Sequence, residues 1–98
     1  MSIRETILKD AIGLTTKERE ATYGPVENNL DNCAALVTTY LECKYGTDSP
    51  TLTSEDIAWV MVIVKMVRTF HPDMHEDNYV DAAAYAAIAA QCRVNRDC

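Results

Sequence analysis

The sequence predicts an all-α protein, a compact four-helix bundle-like domain, and three observations carry that prediction. Apolar residues recur at helical spacing along the chain, no stretch alternates convincingly as a strand, and capping or turn residues bound each periodic segment. At 98 residues the chain makes one domain, residues 1–98, with a single core and a high ratio of surface to volume. Such a domain gains from oligomerisation.

The elements follow in order. The first helix is expected from about Ile3 to Ile12, because Ser2 with Glu5 three residues on is a capping-box pattern and Gly13 suits a stop. A short second piece over Thr16 to Ala21 stops before Tyr23-Gly24-Pro25. Pro25 suits the first turn of the next helix, which runs to about Lys44, where Tyr45-Gly46-Thr47-Asp48-Ser49-Pro50 is turn chemistry. Its apolar face reads Val26, Leu30, Cys33, Val37, Tyr40 and Leu41. Thr53 with Asp56 starts a further helix, Ser54 to about Phe70, which His71-Pro72-Asp73 ends. The last helix begins near Glu76 or Asp77, and six of the seven residues from Ala82 to Ile88 are Ala or Ile, with alanine the best helix former.

Within the Ser54 helix, Ile57 to Val64 is apolar around the whole circumference. A helix of this kind is central and packed on several sides, or it lies across an oligomer interface. Four helices of these lengths do not readily cover every side of it, so assembly as at least a dimer through this segment is expected.

Inward polar residues are the candidates for function. Asp81 shares a helical face with Tyr85, Ile88 and Cys92, where a carboxylate loses hydration and needs a partner. Asp77, nearer the helix start, is explained by the positive end of the helix dipole. Ala58, Met61, Lys65 and Arg68 line one face of the preceding helix. Lys65 either extends its amine to water or pairs with a buried acid, for which Asp81 is the candidate. Asn29 shares a face with Cys33, Leu36 and Tyr40, and three helices each offering one inward polar group predict a polar cluster within the bundle.

Composition excludes several classes. A net charge of -6 with no basic run argues against nucleic-acid binding. No run approaches the ~20 apolar residues that span a bilayer, and the N-terminus has no signal-like pattern, so no membrane association and a cytoplasmic location are expected. Cys33, Cys43, Cys92 and Cys98 form neither a Cys-x-x-Cys pair nor zinc-ligand spacing with histidine, and are read as reduced thiols. Pro72 between His71 and His75 argues against a shared metal there. Trp59, Met61 and Met66 read as core, Asp56 as a cap, and Glu18 with Glu20 as a solvated face.

The ordered set Arg19, Tyr23-Gly24, Asn29, Asp56, Lys65 with Arg68, Asp77-Asn78 and Asp81-Ala-Ala-Ala-Tyr85-Ala resembles a family of small phage and prophage proteins. That family looks like a distant branch of the MazG-like all-α nucleoside triphosphate pyrophosphohydrolases, and the resemblance covers roughly Glu18 to Gln91. It implies a magnesium-dependent enzyme that splits a nucleoside triphosphate into monophosphate and pyrophosphate, in the host cytoplasm if phage-encoded. On the enzyme reading Asp77 and Asp81 would bind magnesium, Asp81 and Lys65 would be the catalytic pair, Lys65 and Arg68 would bind phosphate or orient Asp81, and Arg19, Tyr23, Asn29, Arg68, Asn78 and Tyr85 would contact the nucleotide. The match is incomplete. Asn78-Tyr79-Val80-Asp81 stands where the family has Glu-x-x-Asp, and its Glu-Glu-x-x-Glu has no counterpart beyond the neighbourhood of Glu27-Asn28-Asn29-Leu30-Asp31. The alternative is a binding module without turnover, which sequesters a nucleotide signal or blocks a host protein partner through its apolar helix.

Overall fold

Capping chemistry sets the limits of the helices. In the computed structural model, which describes residues 2–15 and 25–97, these are α1 (Ile3–Leu14), α2 (Val26–Tyr45), α3 (Ser54–Arg68) and α4 (Glu76–Asp97). Ser2 opens α1 by accepting from the Glu5 N–H at 3.3 Å while its hydroxyl donates to the Glu5 carboxylate at 3.0 Å. The helix continues through Gly13, because Thr15 closes it by donating both its N–H and its hydroxyl to the Ile12 carbonyl. Pro25 caps α2 with φ -59°, and Gly46 ends it with φ 99°, a left-handed conformation that glycine adopts without steric cost. Thr53 and Asp56 form the reciprocal capping box expected for α3. That helix stops at Arg68, where Thr69 folds back to the Met66 carbonyl at 2.6 Å, two residues short of the expected end. The expected piece over Thr16 to Ala21 lies outside the described residues.

The four helices pack together with α4 at the centre. Its contact with α3 is the most extensive in the molecule, α1 lies on another side of α4, and α2 packs mainly on α3. Small side chains make this possible. Ala58 on α3 and Ala89 on α4 are both 0% exposed and share one cluster with Leu30, Ala34, Ile57, Ile88 and Cys92. Ala11 of α1 meets Val80 and Ala84 of α4 in a second, smaller cluster. The connection between α2 and α3 is held down by the Leu52 N–H on Thr38 Oγ1 at 2.9 Å and by Ser49 on the Leu41 carbonyl at 3.2 Å.

Two expectations are corrected by this packing. The inward stripe of α2 is Val26, Leu30, Ala34 and Val37, while Cys33, Leu36 and Tyr40 face outward. Because α2 packs chiefly against one neighbour, a single narrow stripe suffices, and the wider face read from sequence extends past it. On α3, Trp59 and Met66 read as core but are exposed, and the apolar segment is covered on only part of its circumference, as expected for four helices of these lengths. Ile57 and Ala58 are buried and Met61 and Val62 half-buried, but Trp59, Val60, Ile63 and Val64 are exposed, because the alanine-rich α4 takes the central place. Among the described residues, no helix is long and apolar enough to cross a membrane.

Two outcomes check this architecture. Ala58→Leu forces extra methylenes into the α3–α4 contact and should destabilise by about 1–3 kcal/mol, whereas Ala90→Leu on the exposed side of α4 should stay near neutral in thermal denaturation. Burial pushes the Cys92 thiol above its usual range, although a hydrogen bond with Ser54 opposes the shift. Iodoacetamide at mildly alkaline pH should therefore label the exposed Cys33 and Cys43 well before Cys92, as read by peptide mass spectrometry.

Candidate functional site

Lys65 and Asp81 meet. The lysine follows Met61 by one turn on the inner side of α3, and Asp81 lies on the side of α4 that faces it. Their Nζ and Oδ2 atoms are 3.0 Å apart, with side chains 14% and 27% exposed. This degree of shielding lies between a solvated surface pair, worth little, and a fully buried one, where loss of one partner strands a charge. A second ion pair ties the far ends of the same two helices. Arg96 Nη1 of α4 lies 3.4 Å from Glu55 Oε1 of α3, and Glu55 also accepts from the Trp59 indole at 3.2 Å. Two cross-links at these positions fix α3 and α4 antiparallel. The sequence signals the first through an inward Asp81; nothing in the helical pattern singles out the second.

Around the Lys65–Asp81 pair, other candidates take graded positions. Asn78, three residues before Asp81 on α4, is 7% exposed and is the buried polar residue of the described chain. Among the described residues, no buried side-chain nitrogen or oxygen lacks a hydrogen-bond partner. Asp77 is exposed in the first turn of α4, and Arg68 is exposed at the last residue of α3, one turn beyond Lys65. Tyr85 is half-buried against the main core. Asn29 stands on the exposed side of α2, so the expected cluster of three inward polar groups reduces to Lys65 and Asp81, with Asn78 one turn away. The physical reason is the narrow inward stripe of α2, which leaves Asn29 on the same outer side as Leu36 and Tyr40. Arg19 and Tyr23 lie outside the described residues.

The donor set bears on magnesium. Among the described residues, no three His, Cys, Asp or Glu side chains are grouped to hold a metal ion. Asp81 already faces an ammonium at 3.0 Å, and Asp77 alone is turned to solvent. Such a set does not make a resident metal site, but it fits a magnesium ion that arrives on phosphate oxygens and needs only one or two carboxylates from the protein. His71 and His75 stack edge to face with ring centroids 5.3 Å apart, and His71 Nδ1 accepts from the Asp73 N–H at 3.1 Å. Among the described residues, open grooves lie elsewhere. One, of about 390 Å³, runs between α2 and the start of α3 past Thr38, Ser54 and Arg96. Another, of about 450 Å³, lies between α2 and α4 and is lined by Glu27, Gln91 and Asn95.

The ion pair predicts an asymmetry between the two aspartates. Asp81→Ala leaves Lys65 largely shielded and unpaired and should cost about 1–3 kcal/mol, below the full cost of a buried pair because both groups keep some water. Asp77→Ala removes only an exposed charge at a helix start and should cost about 1 kcal/mol or less. Equal melting temperatures for the two variants would show that the Lys65–Asp81 contact carries no stability.

Comparison with known proteins adds a family. Over 92 residues the chain is 29% identical to the gene 55 protein of Mycobacterium phage L5, covering 94% of this chain and 55% of that protein. It is 32% identical over 82 residues to the gene 55 protein of Mycobacterium phage D29, covering 84% of this chain and 50% of that one. The chain thus spans about half the length of the curated relatives it matches. No solved structure matches it. The family described as Domain of unknown function (DUF6378) matches residues 6–93, from the middle of α1 through Lys65, Asp81 and most of α4, and the chain belongs to that family.

Proposed function

We propose that this protein binds the phosphates of a nucleotide at the end of the α3–α4 pair, with magnesium carried by the nucleotide. The observation that carries the reading is the partly shielded Lys65–Asp81 contact at 3.0 Å. An ammonium held there by a carboxylate is positioned without being neutralised on all sides, since its remaining protons can reach a phosphate oxygen. Arg68 adds a second cation one turn on, and Asp77 offers an exposed carboxylate to the magnesium of the ligand. The likeness of Asn78-Tyr79-Val80-Asp81 to the Glu-x-x-Asp of MazG-like enzymes, with an amide in place of the glutamate, supports the same reading. In its enzymatic form, the bound nucleoside triphosphate is hydrolysed to monophosphate and pyrophosphate. Lys65 and Arg68 would then offset charge gathering on the phosphoryl oxygens, and Asp81 would hold the Lys65 amine in place.

A second reading, a non-catalytic protein that engages a partner such as a host protein, is favoured by one observation. The outer side of α3 exposes Trp59, Val60, Ile63, Val64, Met66 and Val67 together. In that case Lys65–Asp81 is a structural pair only.

Calorimetric titration with a nucleoside triphosphate tests the first reading. Heat should appear with magnesium, disappear in chelator, and be lost in Asp77→Asn while circular dichroism shows the helices intact. Chromatography of the same mixtures then separates the two forms of the proposal, since monophosphate with pyrophosphate marks turnover and an unchanged ligand marks binding alone. No heat in the parent protein with any nucleotide would overturn the nucleotide reading and leave the partner reading standing.

A further inference from the structure

We infer that the outer side of α3 is the contact surface for a second copy of this chain, packed antiparallel about a twofold axis near Ile63. This inference does not rest on the nucleotide reading. Val60, Ile63 and Val67 are 47%, 54% and 54% exposed, although all three are large and apolar, and Phe70, two residues past the end of α3, is 75% exposed. The spacing along α3 is three and four residues, the repeat of a helix seam that receives another helix, and Asp56 extends it by four residues at the start of α3. Lys65 falls on the opposite side of the same helix, where it meets Asp81. The seam and the packed side of α3 are therefore distinct surfaces.

Trp59, Val64 and Met66 flank the seam and are exposed as well. With about 150–250 Å² in each aromatic residue and less in each aliphatic one, these fractions amount to several hundred Å² of apolar surface. A monomer rarely carries a patch beyond ~300–600 Å², and a standard interface takes ~800 Å² from each partner. Shape agrees. The radius of gyration is 15.2 Å and the extents are 50 × 33 × 24 Å, whereas a compact chain of this length is expected near ~13 Å. An elongated protomer with a long apolar stripe along one helix gains burial by pairing.

Direction follows from the helix dipoles. Asp56 stands at the N-terminal end of the stripe, and antiparallel copies oppose the dipoles, whereas parallel copies align them and stack Asp56 on Asp56. The stripe carries no lysine or arginine, so an apolar twofold contact of the chain with itself matches its chemistry.

Light scattering on the intact chain at micromolar concentration should give about twice 10.9 kDa. Ile63→Glu should return the mass to one chain with circular dichroism unchanged, because this side chain is already half exposed in the protomer. Val67→Glu, on the same stripe, is read in parallel in case Ile63→Glu loses helix content. With the native cysteines replaced, Ile63→Cys should form a disulfide with its own copy and Val67→Cys should not, as read by non-reducing electrophoresis, because an antiparallel pair centred near Ile63 separates the two Val67 positions. A parent of single-chain mass would overturn the proposal and assign the stripe to another occupant. So would a dimer indifferent to both glutamate variants. A disulfide at both positions would overturn the antiparallel arrangement.

Discussion

The close approach of α3 and α4 is the constraint on which the rest of the structure depends. Ala58 and Ala89 sit fully buried in that contact, and with no side chain beyond Cβ they let two helix backbones come together with little side-chain entropy to lose. Alanine burial contributes only modest hydrophobic free energy per residue, so the contact relies on its length and on polar ties near both ends. Lys65–Asp81 and Glu55–Arg96 supply those ties. Each pairs a residue of one helix with a residue of the other, and together they fix the register in which the alanines meet. Leu30 and Ala34 of α2 then close one side of this pair, and Ala11 of α1 closes another.

Much of this architecture was legible in the sequence because the signals were local. Capping at Ser2 and Thr53, the turn at Gly46 and the alanine run of α4 each depend on residues within one turn of one another. The inward Asp81 was also legible, since a carboxylate on the Tyr85–Ile88–Cys92 face has to find a cation and Lys65 was the residue with a matching problem. What failed was the allocation of faces. Cys33, Leu36 and Tyr40 looked inward on α2, yet an apolar residue reveals which side could be buried and not how many neighbours arrive to bury it. The same ambiguity applied to α3, whose circumference is apolar throughout but which receives helices on only part of it. Asn29 shares the misassigned side of α2, and the Glu55–Arg96 pair has no local signal because its partners lie 41 positions apart at opposite helix ends.

For the candidate site, the same ion pair sets a competition. Asp81 cannot at once hold the Lys65 amine and give both oxygens to a metal, so the pair favours a role in which the carboxylate positions a cation for phosphate. An acidic protein of net charge -6 repels a free nucleotide at long range, so the proposed nucleotide reading depends on the two local cations and a ligand-borne magnesium. The apolar stripe is spatially separate from this chemistry, and the two sides of α3 can serve different ends without sharing residues.

Among the described residues, the packing of α1 is chiefly on α4, through the small cluster of Ala11, Val80 and Ala84. Few apolar contacts hold it, and Ile3, Leu8 and Ile12 are exposed. Cooperative units of a fold open in proportion to what anchors them, so amide protons of α1 should exchange with solvent through a local opening that leaves the α3–α4 pair intact. The protein then has a hierarchy of opening events, in which the first helix can detach and reseat while the central pair keeps its register.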